Sequence, residues 1–195
     1  MSLIGFDDLY QFADNLPTPI SVVAAGGADP TVLQALSLAQ RRGWINPVLT
    51  GKSDEIQQLA NDLQIDLTGF RIIDADDPAG AAVAEIQAGR AQTLMKGQIA
   101  TPALMKAVLS RETGLRTNRC ICQVVLMEIP RDQRRFLLSD TGITIQPTLD
   151  QKRDILQSLV EVATVLRESG STEPPRIAAM AATEKASEAM PDTLD

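Results

Sequence analysis

Residues 20–43 read ISVVAAGGADPTVLQALSLAQRRG, and the reading of this stretch decides the fold class. Ile20 to Ala25 is a short aliphatic run of the kind that forms a buried strand. Asp29-Pro30 then predicts a helix start, with Asp as the cap and Pro in the first turn. Val32, Leu33, Leu36 and Ala39 fall on one helical face, and Gly43 closes the helix. One strand-to-helix step is complete in 24 residues.

The same step recurs toward the C-terminus. Pro47 to Thr50 predicts a strand, and Ser53 predicts a cap for a helix with Ile56, Leu59, Ala60 and Leu63 facing inward. Arg71 to Asp74 reads as a strand. Asp77-Pro78 starts a helix packed by Ala81, Ala82 and Ile86 and ended by Gly89. Thr93-Leu94-Met95 is a further strand, and Thr101-Pro102 opens a capped helix carrying Leu104, Met105, Val108 and Leu109. Four such steps imply βαβ units with right-handed crossovers and a mostly parallel sheet covered on both faces.

The pattern changes after Gly114. Cys120 to Ile129 and Phe136 to Ser139 predict two strands joined by the short polar link Pro130-Arg131-Asp132-Gln133-Arg134, an antiparallel ribbon. Thr148 with Gln151 three residues on forms a capping box. The helix it opens has Ile155, Leu156, Leu159, Val160, Ala163 and Leu166 on its apolar face and ends near Gly170 and Pro174-Pro175. Arg176 to Ala182 reads as another strand, and only Ala186 to Met190 is left to begin a helix after it.

Composition excludes several chemistries. The chain has no histidine, two cysteines and a net charge of −7. A Ser-His-Asp or Cys-His nucleophile system and a His-bearing metal site are therefore excluded within one chain. Acid–base work falls to Asp, Glu, Lys, Cys, Tyr or the substrate. No secretory leader and no stretch of roughly 20 apolar residues is read, so a cytoplasmic location is expected. Aromatic residues are only 3%, so the core is expected to be built from Ala, Val, Ile and Leu.

The acidic total hides one basic segment. From Lys96 to Arg135 there are eight bases against three acids. A local basic segment in an acidic chain points to an anion site. Nucleic acid calls for a broader basic surface with stacking aromatics. The alternative is a solvated face.

Three segments are candidates for chemistry. Leu94-Met95-Lys96-Gly97-Gln98-Ile99-Ala100-Thr101-Pro102 runs from a strand end through a glycine loop into a helix. Ligands of open α/β sheets sit beyond the carboxyl ends of strands, and a helix N-terminus offers free N–H groups to an anion. Lys96 adds a charge, Gly97 lets the backbone come close, and the Thr101 hydroxyl donates. This is not a Walker A loop; the alternative is an ordinary turn with a solvated lysine. Gly114-Leu115-Arg116-Thr117 places Arg116 to hold a phosphate or carboxylate. Ser139-Asp140-Thr141-Gly142-Ile143 puts Asp140 where a strand stops, ready to hold a backbone, a cation or a polar substrate group, or simply to form a turn. Cys120 and Cys122, two apart on a strand, are read as buried inert thiols. Ala24-Ala25-Gly26-Gly27-Ala28 lacks G-x-G-x-x-G and is not read as a dinucleotide site.

Taken together, LMKGQIATPALMKAVL (Leu94 to Leu109), GLRT (Gly114 to Thr117), LLSDTGITIQPTLDQKRDIL (Leu137 to Leu156) and EKASEAMPDTLD (Glu184 to Asp195) resemble the phosphate acetyl/butyryltransferase family, its butyryltransferase branch most closely. The resemblance implies a three-layer α/β/α fold like that of isocitrate and isopropylmalate dehydrogenases. It divides the chain into an α/β domain over residues 1–110 and a partial second domain over residues 111–195. It also implies acyl exchange between coenzyme A and inorganic phosphate, with coenzyme A as a substrate and no permanently bound cofactor. From the residues themselves no metal, nucleic acid or membrane is expected, and the uncovered strand over Arg176 to Ala182 predicts a homo-oligomer, expected to be a dimer. By the same resemblance Lys96, Gly97, Thr101, Arg116 and Asp140 are substrate-binding.

Two departures stand out. Gln123 matches a position where the family often has histidine. The family also continues for roughly another third of its length beyond Asp195, including a Ser-Arg…Asp segment tied to catalysis, so no catalytic residue is assigned in this chain. The competing readings are a non-catalytic remnant that keeps the anion cleft and, less favoured by the weak glycine signal after Ala25, an oxidoreductase of the related dehydrogenase fold.

Overall fold

A computed structural model describes residues 2–180, 185–189 and 193–194. The chain forms two compact units, one of residues 10–117 and one of residues 1–9 with 118–195. The first helix, α1 (Phe6–Asp14), has residues in both.

The unit of residues 10–117 follows the strand–helix alternation read above. Its elements are β1 (Ile20–Ala25), α2 (Pro30–Arg41), β2 (Ile45–Gly51), α3 (Ser53–Asp62), β3 (Arg71–Asp74), α4 (Pro78–Gln87), β4 (Thr93–Lys96) and α5 (Thr101–Val108). All four strands pair in parallel, in the order β3-β2-β1-β4. The period-2 alternation of a strand sends neighbours to opposite faces. Val22 and Ala24 pack with Val32, Leu33 and Leu36 of α2 and Ile56 and Ala60 of α3. Val23 and Ala25 pack on the other face with Ala79 and Ala82 of α4 and Leu104 of α5. The result is the expected three-layer α/β/α arrangement with an aliphatic core. Leu33, Leu49 and Ile56 are fully buried, each worth about 1.5–3 kcal/mol relative to exposure.

One buried charge breaks the apolar pattern. Glu85 of α4 is 5% exposed. The Arg90 Nη2 donates to it at 2.7 Å, and Arg71 of β3 donates as well. These two guanidiniums, Arg90 first, hold the Glu85 carboxyl down to about 2 against the pull of burial.

The second unit holds β5 (Val125–Ile129), β6 (Arg134–Leu138) and α6 (Leu149–Val165). β5 and β6 form the antiparallel ribbon, with Met127 opposite Phe136. The capping box at α6 is present as read: the Gln151 amide donates to the Thr148 hydroxyl at 3.3 Å, and the Thr148 amide donates to the Gln151 side chain at 2.9 Å. Thr148→Ala is expected to cost about 1 kcal/mol, read as roughly fivefold faster amide exchange in the first turn of α6. An unchanged rate there contradicts the cap.

Several expectations are corrected. The strand read from Cys120 begins only at Val125, because side chains claim the backbone before it: Asp154 accepts from the Cys120 amide at 2.8 Å and Asp140 from the Gln123 amide at 3.2 Å. Cys120 and Cys122 are thus not on a strand, and both are half-buried free thiols. Residues 176–180 of the strand read over Arg176 to Ala182 are irregular, with no ladder partner among the described residues; Ala181 and Ala182 lie outside the described residues. Residues 186–189 are not helical, and Met190 lies outside the described residues. Leu156 is exposed. Ser53 is the first helical residue of α3 rather than its cap.

Candidate anion-binding site

β1 leads through α2 to β2 on one side of it, while β4 lies on its other side. The chain steps outward from β1 to β2 and β3 and then returns to place β4 on the other side of β1, so the strand order reverses between β1 and β4. In open α/β sheets this switch point is where ligands bind. The register brings Ala25 of β1 beside both Thr50 of β2 and Lys96 of β4. Lys96 is thus the last residue of β4, at the carboxyl end of the sheet beside Ala25.

Helix N-termini in this unit are treated in two ways. Asp29 accepts from the Val32 amide of α2 at 2.9 Å, Asp74 from the Ser53 amide of α3 at 2.9 Å, and Asp77 from the Gly80 amide of α4 at 3.1 Å. Each of these helices thus carries its own carboxylate at its positive end. α5 does not. Its N-cap is Ala100, with no side-chain cap, in place of the capped start read from the sequence. Pro102 has no N–H, and the Thr101 amide and hydroxyl have no partner among the described residues. The Lys96 ammonium makes one long contact, 3.4 Å, to the carbonyl of adjacent Gly97. It has no carboxylate partner among the described residues.

The basic segment divides in the same way. Lys96, Lys106, Arg111 and Arg116, all in the unit of residues 10–117, form no ion pair among the described residues. The other four are engaged within the second unit. Arg119 pairs with Glu161 at 2.8 Å, Arg134 with Asp132 at 2.6 Å, Arg135 with Glu128 at 3.5 Å and Glu168 at 3.6 Å, and Arg131 lies 4.0 Å from Asp132.

The remaining candidates lie apart from the Lys96 loop in the chain. The Leu115 amide donates to the Val108 carbonyl at 2.7 Å. Arg116 therefore starts from the C-terminal end of α5, roughly 10–12 Å along the helix axis from Thr101. Asp140 belongs to the second unit. It accepts backbone N–H groups of Thr144 at 2.7 Å and of Gln123, Gly142 and Ile143 at 3.2 Å each. Burial raises its pKa, but these amides outweigh burial and hold the carboxyl below its ordinary value. Asp140 is thereby an ionised organiser of its own loop.

The sequence reading missed the glycine loop that joins the ends of β1, β2 and β4. Gly26 and Gly27, directly after β1, donate to the Thr50 carbonyl at 3.1 and 2.9 Å. Gly97 and Gln98 donate to Ala25 and Gly26 at 2.9 and 2.8 Å. The Gly-Gly pair after the first strand was the available signal. No cluster of three or more potential metal ligands and no helix long and apolar enough to cross a membrane occurs among the described residues.

A family model described as Phosphate acetyl/butaryl transferase matches residues 75–195. The chain is 34% identical over 191 residues to a phosphate acetyltransferase of Thermotoga maritima, covering 97% of this chain and 63% of that protein. A phosphate acetyltransferase of Rickettsia prowazekii is 32% identical, covering 97% and 54%. A phosphate butyryltransferase of Clostridium acetobutylicum is 31% identical, covering 89% and 58%. The crystal structure of a phosphotransacetylase from Streptococcus pyogenes shares the fold, with a TM-score of 0.72 at 19% identity, over 84% of this chain and 60% of that one. The chain thus spans between about half and two thirds of the length of these relatives.

Proposed function

Because this chain belongs to the phosphate acetyl/butaryl transferase family, we propose that its switch-point crevice binds the anionic groups of acyl-coenzyme A and inorganic phosphate for acyl exchange between them. A phosphate oxygen attacks the thioester carbonyl carbon. The C–O bond forms, the C–S bond breaks, and the departing thiolate takes up the proton that phosphate gives up. Acyl phosphate and free coenzyme A result. The step needs no enzyme nucleophile, which suits a chain without histidine. It needs two anions held together and a polarised carbonyl oxygen.

The observation that carries this reading is the uncapped N-terminus of α5 beside the unpaired Lys96. Lys96 and the Thr101 amide and hydroxyl are assigned to the anion, and Gly97 to close backbone approach. Arg116 is assigned as a further cation, and Asp140 as the residue that shapes the loop from Gln123 to Thr144. No residue of this chain is assigned to the chemical step, and coenzyme A enters as substrate rather than resident cofactor. The reading keeps two domains, an α/β domain and a partial second domain dividing near residue 110, with residues 1–9 grouped with the second. The reading includes a cytoplasmic homo-dimer. Exposed Met127, Phe136, Leu138 and Val165 in the second unit support a covering partner.

The coverage of 54% to 63% of the relatives favours one alternative, a chain that binds coenzyme A and phosphate without turnover. Incubation with acetyl- or butyryl-coenzyme A and phosphate, following free thiol, separates the two. Phosphate-dependent thiol release is the expected result. Thermal stabilisation by coenzyme A without thiol release supports the alternative. Stabilisation by NAD(H) but not by coenzyme A contradicts both.

A further inference from the structure

We propose that Gly26 and Gly97 are a positioning pair. Their backbone contact fixes the loop after β1 against the loop after β4, and so sets how Lys96 and the Thr101 amide face the crevice. The inference rests on the anion-binding reading above, adds Gly26 to it, and makes Gly97 a residue on which the site's geometry depends.

Gly97 is the sharper case. It does not have a positive φ, so its backbone conformation is open to any residue. What excludes a side chain is space: a Cβ there would overlap the Gly26 carbonyl oxygen and come within 3.0 Å of the Ala25 carbonyl oxygen. Gly26 has φ +85°, and a Cβ there would lie 2.8 Å from the Gln98 carbonyl carbon and 2.9 Å from its amide nitrogen. The obstructing atoms include backbone on both sides, so a change of rotamer cannot relieve either contact. The Gly97 and Gln98 amides close the same seam by donating to Ala25 and Gly26, and the Gly26 and Gly27 amides continue it to Thr50. The three strands β2, β1 and β4 thus end in one connected set of loops.

Two other glycines provide the contrast. Gly43 and Gly89 have φ +76° and +68°, and a Cβ at either meets nothing within 4 Å. They serve the backbone conformation at helix ends and touch neither crevice loop. Gly89→Ala therefore strains the backbone without disturbing the seam.

The test is calorimetric titration of coenzyme A and of inorganic phosphate into the full chain, with Tm recorded in parallel. Gly97→Ala and Gly26→Ala are each expected to weaken coenzyme A binding at least tenfold. Gly89→Ala is expected to lower Tm while keeping the wild-type affinity. Wild-type affinity in Gly97→Ala, or an equal loss in Gly89→Ala, overturns the proposal. Should the seam variants fail to fold, the wild type still decides. Saturating coenzyme A is expected to slow amide exchange at Gly97 and Gln98 several-fold, and unchanged rates there overturn the pair. A wild type that binds neither probe overturns the anion-binding reading itself. That result is distinct from a failure of the pair, which leaves wild-type binding intact.

Discussion

Glu85→Gln is expected to lower the stability of the unit of residues 10–117 by about 2–3 kcal/mol at pH 7. The carboxylate is buried on α4 between Arg90 and Arg71. A neutral amide leaves both guanidiniums without their counter-charge while gaining only ordinary hydrogen bonds. The interval between the ordinary 4.5 and the folded value of about 2 sets the scale, at about 1.4 kcal/mol for each tenfold change in proton affinity. Arg71 and Arg90 are themselves about half exposed, so solvent screening trims the total. The sign follows from a lowered carboxylate pKa. The stabilisation is complete above pH 4.5 and is lost as pH falls through about 2. Urea denaturation across this range is expected to show a gap between wild type and variant that is constant near neutrality and shrinks toward pH 2. A gap independent of pH contradicts the buried pairing.

Lys96→Ala is expected to weaken coenzyme A and phosphate binding about tenfold or more, with Tm essentially unchanged. A hydrogen bond to a charged group is worth roughly 1.5–3 kcal/mol where solvent is partly excluded. Folding loses little, because the ammonium's one contact within the chain is the long one to Gly97. Lys96→Arg keeps the charge but not the compact ammonium, and is expected to recover part of the affinity. Ligand affinity equal to wild type in Lys96→Ala would place the anion elsewhere.

The parallel half of the fold was legible because its signals are local. Asp29-Pro30 and Asp77-Pro78 mark helix starts that the structure places within a residue of the reading. The capping box of Thr148 and Gln151 involves neighbours three apart, and it is present. The ribbon was legible from two apolar runs and a polar link. Features that depend on distant residues were not. Cys120 to Val124 has the composition of a strand, yet Asp154 and Asp140 take its amides. Residues 176–180 have strand propensity but form no ladder among the described residues, and a strand without a partner leaves its backbone groups unpaired.

The same division holds for the candidate site. The strand–loop–helix around Lys96 could be read locally. The strand order that puts Gly26 beside Gly97 is a long-range fact. The glycines after β1 lack a dinucleotide fingerprint, and their contact with Gly97 and Gln98 is not local in sequence. Glu85 was missed because a single acid on an alanine-rich helix looks solvated until Arg71 and Arg90 are seen around it. α1 escaped the sequence reading, although Asp7 and Asp8 in its first turn favour a helix.

Amide chemical-shift mapping during titration with inorganic phosphate and then coenzyme A tests the central claim most directly. The switch-point account predicts that the largest shifts fall on the Gly97, Gln98 and Thr101 amides, with smaller ones at Gly26 and Gly27. Shifts that leave these five amides unmoved while clustering elsewhere in the chain would contradict it.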